Sequence, residues 1–245
     1  KRQDEELFIL EANPRASRTM PFVAKVTGNQ IIKAGTLLML GYSIDEVRNK
    51  TKYLSSSSNK VAIKKAIFPW SRFPAEDTML GPEMKATGEV LGVGKEFGTA
   101  LNKAYAAAGV EINNKEKGIF VTLSDSEKPN FIKTVNKYLE LGFTLYSTEG
   151  TGKFLKTNGI DSVIVGKADD LGQTSLTIIE DKLVSLVINT PTYANELSDG
   201  WKIRRLSHET GVAVVSSVRE ADAFIEAFLN QNLVLDDLEV IQDVS

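Results

Sequence analysis

Beyond residue 118 the chain switches repeatedly between two hydrophobic periods. Ile119-Phe-Val-Thr-Leu123, Thr144 to Ser147, Ser162 to Val165, Leu186-Val-Ile-Asn189 and Ala213-Val-Val-Ser216 are short runs with the β-branched, apolar character of buried strands. Between them, Pro129 to Glu140, Gly152 to Thr157, Ser175 to Asp181 and Lys202 to Thr210 carry helical spacing, and Val218 to Leu229 follows the last strand. Strands alternating with helices over short connections predict an α/β fold: a doubly wound, five-stranded parallel sheet covered on both faces. Ligands of such sheets bind beyond the carboxyl ends of the strands.

The first half is patterned differently. Glu6 to Glu11 is a β-prone run, and Pro14 blocks any early helix. Ile31 to Leu40 predicts a core helix that stops at Gly41, and Ser43-Ile-Asp-Glu46 is a capping box opening a short one. Ser55 to Ser58 is a flexible surface segment. Val61 to Phe68 predicts a strand, Pro69 to Pro74 an aromatic turn serving as a hydrophobic plug, Leu80 to Gly94 a turn-rich connection, and Glu96 to Ala108 a helix ended by Gly109. The polar stretch Asn113 to Gly118 marks a boundary that divides the chain into domains 1–115 and 116–245.

Composition narrows the chemistry. The 245 residues are 42% hydrophobic and carry 29 Lys and Arg against 32 Asp and Glu, a net charge of −3. That balance gives no electrostatic case for nucleic acid or an anionic membrane as partner. With no cysteine, disulfides, thiolate nucleophiles and Cys-based zinc are excluded, which fits a cytoplasmic protein. A single histidine, His208, rules out a His-rich metal site. There is no apolar run of transmembrane length and no signal peptide. The chain begins at Lys1 without Met and enters a strand pattern at once, which predicts that it starts inside a larger protein.

The strongest candidate site is Phe143 to Leu155, where a strand breaks into a Thr/Gly turn and then a helix. A helix N-terminus offers unpaired N–H groups and a positive dipole end, the Thr148 and Thr151 hydroxyls add donors, and Gly150 and Gly152 allow close approach. Such turns also serve as plain connections. Residues at the other strand ends are Lys128, Lys167, Asn189 and Thr190, and gathered on one rim they suit a phosphate, with the Asn189 amide free to read a base or sugar. Taken singly, each Lys is equally a solvated surface residue. In the first half, an extended Glu11 and Asn13 point to the same side and can present oxygens to a hard cation, with Arg15 and Arg18 as bidentate anion clamps. A surface cluster of ion pairs accounts for the same spacing.

Leu10-Glu-Ala-Asn-Pro-Arg-Ala-Ser-Arg-Thr-Met-Pro-Phe-Val-Ala-Lys-Val-Thr-Gly28 and Gly81-Pro-Glu-Met-Lys-Ala-Thr-Gly-Glu-Val90 resemble the close of the second ATP-grasp unit in carbamoyl-phosphate synthase large subunits. The resemblance implies that Glu11 and Asn13 bind the Mg²⁺ or Mn²⁺ ions bridging ATP phosphates, and that Arg15 and Arg18 serve the acyl-phosphate chemistry. Residues 1–115 are then an α+β ATP-grasp segment. Residues 116–245 resemble the methylglyoxal-synthase-like allosteric domain of the same family, which implies an effector site formed by Lys128, Thr148, Gly150, Thr151, Lys167, Asn189 and Thr190. Its effector would be UMP, or IMP or phosphoribosyl pyrophosphate.

Lys167 stands where members answering to N-acetylglutamate have tryptophan, which favours a phosphorylated effector, while Pro191 replaces a frequent Thr. Arg204 and Arg205 match the family and read either as exposed ion-pair formers or as phosphate contacts, and His208 as a packing or surface residue. By this resemblance the parent enzyme makes carbamoyl phosphate from bicarbonate, glutamine-derived ammonia and two ATP. Its partners are the rest of the large subunit, a glutamine amidotransferase small subunit, and further copies of itself in a homo-oligomer. The alternative is a free-standing lyase of the methylglyoxal-synthase type. The rim lacks the Asp and His acid/base set of that enzyme, which argues for binding without catalysis.

Overall fold

The computed structural model describes residues 2–3, 6–7, 9, 11–51, 60–68, 88–110, 112, 118–191 and 198–229. The stretches expected at Ser55 to Ser58, Pro69 to Pro74 and Asn113 to Lys117 lie outside these residues. The described residues divide into two units, one before residue 60 and one from residue 60 onward.

In the first unit two short pieces pair antiparallel, Arg2–Gln3 (β1) and Glu6–Leu7 (β2), so the strand expected from Glu6 to Glu11 is shorter among the described residues. Helix α1 (Thr19–Thr27) was not anticipated from the sequence. Its Pro21 sits in the first turn, where a missing N–H costs no intrahelical bond. Helix α2 (Ile31–Met39) precedes Gly41, whose φ of +91° suits glycine alone. Ser43 and Glu46 form the expected capping box at the start of α3 (Ile44–Lys50).

The second unit is built on the sheet β7-β6-β5-β8-β9, all parallel. Its strands are β5 (Gly118–Thr122), β6 (Thr144–Ser147), β7 (Val163–Ile164), β8 (Val184–Asn189) and β9 (Ala213–Val215). Alternate residues of the central strand β5 point to opposite faces, and two cores follow from that period of two. Ile119 and Val121 pack with Leu186, Ile188 and the inner sides of α5 (Lys128–Glu140), α6 (Glu149–Thr157) and α9 (Val218–Leu229). Phe120 packs on the other face with Val187, the residues Ile178 and Ile179 of α7 (Thr177–Glu180), and Ile203 of α8 (Asp199–Thr210). Every residue of β8 is buried, as expected of an inner strand of a two-face parallel sheet. The doubly wound expectation is met strand for strand.

One expectation is corrected here. The glycine-rich stretch read as a connection ends in a strand, β4 (Gly88–Gly94), paired antiparallel with β3 (Val61–Ile67). A Cβ at Gly92 would stand against Ala100 O and 2.5 Å from Ala104 N, so the glycines let helix α4 (Phe97–Ala107) lie directly on the strand. By packing, the boundary between the two units falls between residues 59 and 60, which puts the hairpin and α4 in the second unit. Buried Asn102 on α4 donates to Ala227 O of α9 at 2.6 Å, and Tyr105 packs edge-on against Phe224 with ring centroids 4.7 Å apart. The hairpin and α4 therefore share a core with the sheet.

Candidate functional site

The sheet reverses its winding at β5, and beyond the carboxyl ends of β5, β6 and β7 lies a cleft of about 540 Å³. Its walls come from Thr122 at the end of β5, from Thr148, Glu149, Gly150 and Lys153 at the start of α6, and from Gly166, Lys167 and Asp170 after β7. Ile164, Val165, Ser175, Asp199, Gly200 and Ile203 complete them.

The start of α6 is shaped for an anion. Thr148 is its N-cap in extended conformation, yet the Thr148 hydroxyl caps no helix N–H; it donates to Thr151 Oγ1 at 3.3 Å. The first-turn amides thus keep their donors for something in the cleft, at the positive end of the helix dipole. The position of a Cβ on Gly150 is open: the nearest atom is Lys128 Nζ, 4.0 Å away. Lys128 follows β5 and Lys167 follows β7, the two strands that flank β6. Lys128 thus reaches the Gly150 position, and Lys167 lines the same cleft. Lys128 Nζ is paired with Asp125 Oδ1 at 2.6 Å, but that carboxylate is 95% exposed and easily exchanged for another anion. The contact with Lys128 holds the Asp125 carboxyl below its ordinary range, and Glu149 is lowered by its hydrogen bond to Lys153 and, more weakly, by Lys167.

Of the residues singled out from the sequence, Thr148, Gly150 and Lys167 line the cleft, and Lys128 Nζ lies 4.0 Å from the Cβ position of Gly150. Thr151, Asn189 and Thr190 are not among the residues that line it. Thr151 is buried and its Oγ1 accepts from Leu123 N–H at 3.1 Å; Thr190 Oγ1 accepts from Ser124 N–H at 2.8 Å. Both hydroxyls pin the loop after β5. Asn189 Oδ1 accepts from Arg204 Nη1 at 2.7 Å, so the amide oxygen is held inside the protein and is not free to read a base.

Arg204 and Arg205 are buried, not exposed ion-pair formers; Arg205 Nε bonds Glu209 Oε1 at 2.6 Å. Arg204 acts from behind the wall, since a Cβ on Gly200 would lie 3.2 Å from its Nη1. His208 lies outside the cleft lining. Burial first, then the Lys65, Arg205 and Arg204 charges, lower its pKa to about 4.

The sequence reading missed Thr122, Asp170, Ser175 and Asp199, and with them the acidic side of the cleft. Carboxylates are present at the rim after all, although no histidine is. Among the described residues, no group of three or more His, Cys, Asp or Glu side chains is placed to hold a metal ion.

In the first unit Asn13 Nδ2 donates to Glu11 Oε1 at 3.0 Å, which places the two proposed metal ligands side by side and exposed. Arg15 and Arg18 are exposed as well, and Arg15 Nη1 donates to Ala16 O at 3.2 Å. No described helix is long and apolar enough to cross a membrane.

A family model for the MGS-like domain matches residues 130–216, the span that contributes most of the cleft. The chain is 37% identical to a carbamoyl phosphate synthase large chain, C-terminal section, of Aquifex aeolicus, over 92% of this chain and 44% of that protein. It is 36% identical to the protein so named in Methanocaldococcus jannaschii, over 92% of this chain and 38% of the relative. It is 39% identical to the carbamoyl phosphate synthase large chain of Brucella suis, over 92% of this chain and 20% of the relative. The chain thus spans less than half the length of these relatives.

Proposed function

Because this chain is homologous over 92% of its length to the C-terminal section of carbamoyl phosphate synthase large chains and carries an MGS-like domain, we propose that it is the regulatory end of such an enzyme. The cleft binds a phosphorylated effector, UMP or a related nucleotide, IMP or phosphoribosyl pyrophosphate. One observation carries the reading: the uncapped start of α6 lines a cleft with Lys167, and Lys128 Nζ stands 4.0 Å from the Cβ position of Gly150. A phosphate there gains backbone N–H groups, the Thr148 hydroxyl and two cations, the usual components of a phosphate cradle.

The parent enzyme is the glutamine-hydrolysing synthase, working in the cytoplasm with a glutamine amidotransferase subunit. Residues 1–115 form the close of its carbamoyl-phosphate-forming ATP-grasp unit and 116–245 its effector domain, even though the hairpin and α4 pack against the latter. The fit of Glu11 and Asn13 to Mg²⁺ or Mn²⁺ is good in kind. A carboxylate and an amide already in contact offer two hard oxygens once the amide presents Oδ1 to the cation. Arg15 and Arg18 then hold phosphate or carboxylate oxygens beside them. ATP and the remaining ligands belong to the parts of the enzyme outside this chain, so the chain by itself does not make carbamoyl phosphate.

Calorimetric titration of the 245-residue chain with UMP, IMP and phosphoribosyl pyrophosphate tests the effector reading. Saturable binding by one of them is expected, and heat of dilution alone from all three refutes it. The lyase alternative draws some support from the rim carboxylates Asp170 and Asp199. It is tested by methylglyoxal release from dihydroxyacetone phosphate.

A further inference from the structure

Lys128 and Asp125 make an ion pair of unequal members. The Lys128 side chain is 15% exposed and its Nζ is 4.0 Å from the Cβ position of Gly150, whereas Asp125 is 95% exposed and meets Nζ through Oδ1 at 2.6 Å. The turn that carries the carboxylate is held at several points. Glu127 N–H and Lys128 N–H both donate to Ser124 O, at 3.0 and 3.3 Å, and Ser124 N–H donates to Thr190 Oγ1 at 2.8 Å. Just before it, Leu123 N–H donates to the buried Thr151 Oγ1 at 3.1 Å. Thr151 and Thr190 thus fix the turn that sets Asp125 beside the ammonium.

No other hydrogen bond accounts for this carboxylate. No side chain caps the first turn of α5, and Lys128 Nζ is the one hydrogen-bond partner of the Asp125 side chain among the described residues. Its charge attracts the ammonium and repels any anion that approaches Gly150. An ammonium has more than one N–H donor, so an arriving phosphoryl group either shares Lys128 with Asp125, and then stands beside a second negative charge, or takes the contact for itself and breaks the pair. In both cases the ligand loses part of what Lys128 would otherwise give it.

We propose that Asp125 is a built-in counter-ion of the cleft: it competes with the phosphoryl group of the ligand for Lys128 and holds the affinity of the natural protein below what the donors of the site allow. This rests on the reading of the cleft as a phosphate site and adds a restraint to it, since the ligand must reach a concentration that overcomes the internal carboxylate. Asp125 acts through Lys128.

The test is titration of the 245-residue chain with UMP, IMP and phosphoribosyl pyrophosphate, followed by amide chemical shifts so that weak binding stays measurable. The tightest of the three is then carried through D125N, D181N, K128A and the double variant D125N/K128A. Asp181 is an exposed carboxylate at the end of α7, just before β8 and so at the amino side of the sheet, and D181N removes the same charge away from the cleft. D125N should tighten binding about two- to fivefold, the size of an exposed ion pair, and D181N should leave it unchanged. In the K128A background the Asp125 substitution should add little, because the two residues are coupled. An affinity unchanged or lowered in D125N overturns the proposal. So does an equal gain in D181N or in the K128A background, either of which means that net charge alone is felt. If none of the three ligands gives saturable shifts with the natural protein, the phosphate reading itself has failed and this proposal falls with it. Saturable binding without a gain in D125N removes only the role of Asp125.

Discussion

Replacing Lys128 with alanine separates a built phosphate site from a merely positive surface. The Lys128 side chain is only 15% exposed, lies within reach of Gly150, and has the exposed Asp125 as its ion-pair partner. Breaking that pair should cost the fold little, because an exposed carboxylate is readily resolvated and such pairs contribute about 0–1 kcal/mol. Loss of a charge-assisted hydrogen bond to a phosphate should cost about 1.5–3 kcal/mol, or roughly 10- to 150-fold in affinity.

Lys153 supplies the control. It lines the same cleft, but its ammonium is 2.7 Å from Glu149 Oε1 and exposed, so K153A removes the same charge with an expected loss of less than about threefold. Calorimetry with UMP on the two variants reads the difference. Equal losses would mean that only net charge matters, and an unchanged affinity in K128A would refute the geometry proposed for the site.

Gly92→Ala should force β4 from α4 and destabilise the chain by about 1–3 kcal/mol in urea unfolding; an unchanged midpoint would show the hairpin is not held against the helix. His208 titrates at about 4 in the folded chain against 6.5 when unfolded, so the unfolded state takes up a proton first as pH falls. The stability due to its neutral form is present above pH 6.5 and is lost between 6.5 and about 4, to an extent of about 2–3 kcal/mol. His208→Gln should flatten the unfolding free energy over that window, and an identical pH slope would contradict the assignment. Incubation with dihydroxyacetone phosphate should yield no methylglyoxal, whereas turnover would favour the lyase alternative.

How far the sequence could be read depended on which physical level decided each feature. The five strands and the helices between them were legible because β-branched runs and helical spacing agree with the tertiary fold there. At β4 they disagree. Gly88, Gly92 and Gly94 look locally like turn residues, and it is pairing with β3, with α4 lying close against Gly92 and Gly94, that makes a strand of them. Helix α1 was hidden by Pro21, whose position in the first turn, unlike one in a helix interior, is harmless.

That Thr148, Gly150 and Lys167 line one cleft was legible because a Thr/Gly turn and strand-end lysines have local signatures. Thr151, Asn189 and Thr190 were assigned to the cleft because a pattern places a residue at a strand end without saying whether its side chain turns outward or back into the loop. Thr122, Ser175 and Asp199 have no signature at all. Topology brings them together from β5, the loop before α7 and the start of α8.

Amide chemical-shift mapping of the labelled chain during titration with UMP tests the central claim most directly. Saturable shifts concentrated on Thr148 to Lys153 and on Gly166 to Asp170, and weakened in K128A, are the expected result. Saturable shifts confined to residues 60–110, or no saturable shifts at all, would contradict it.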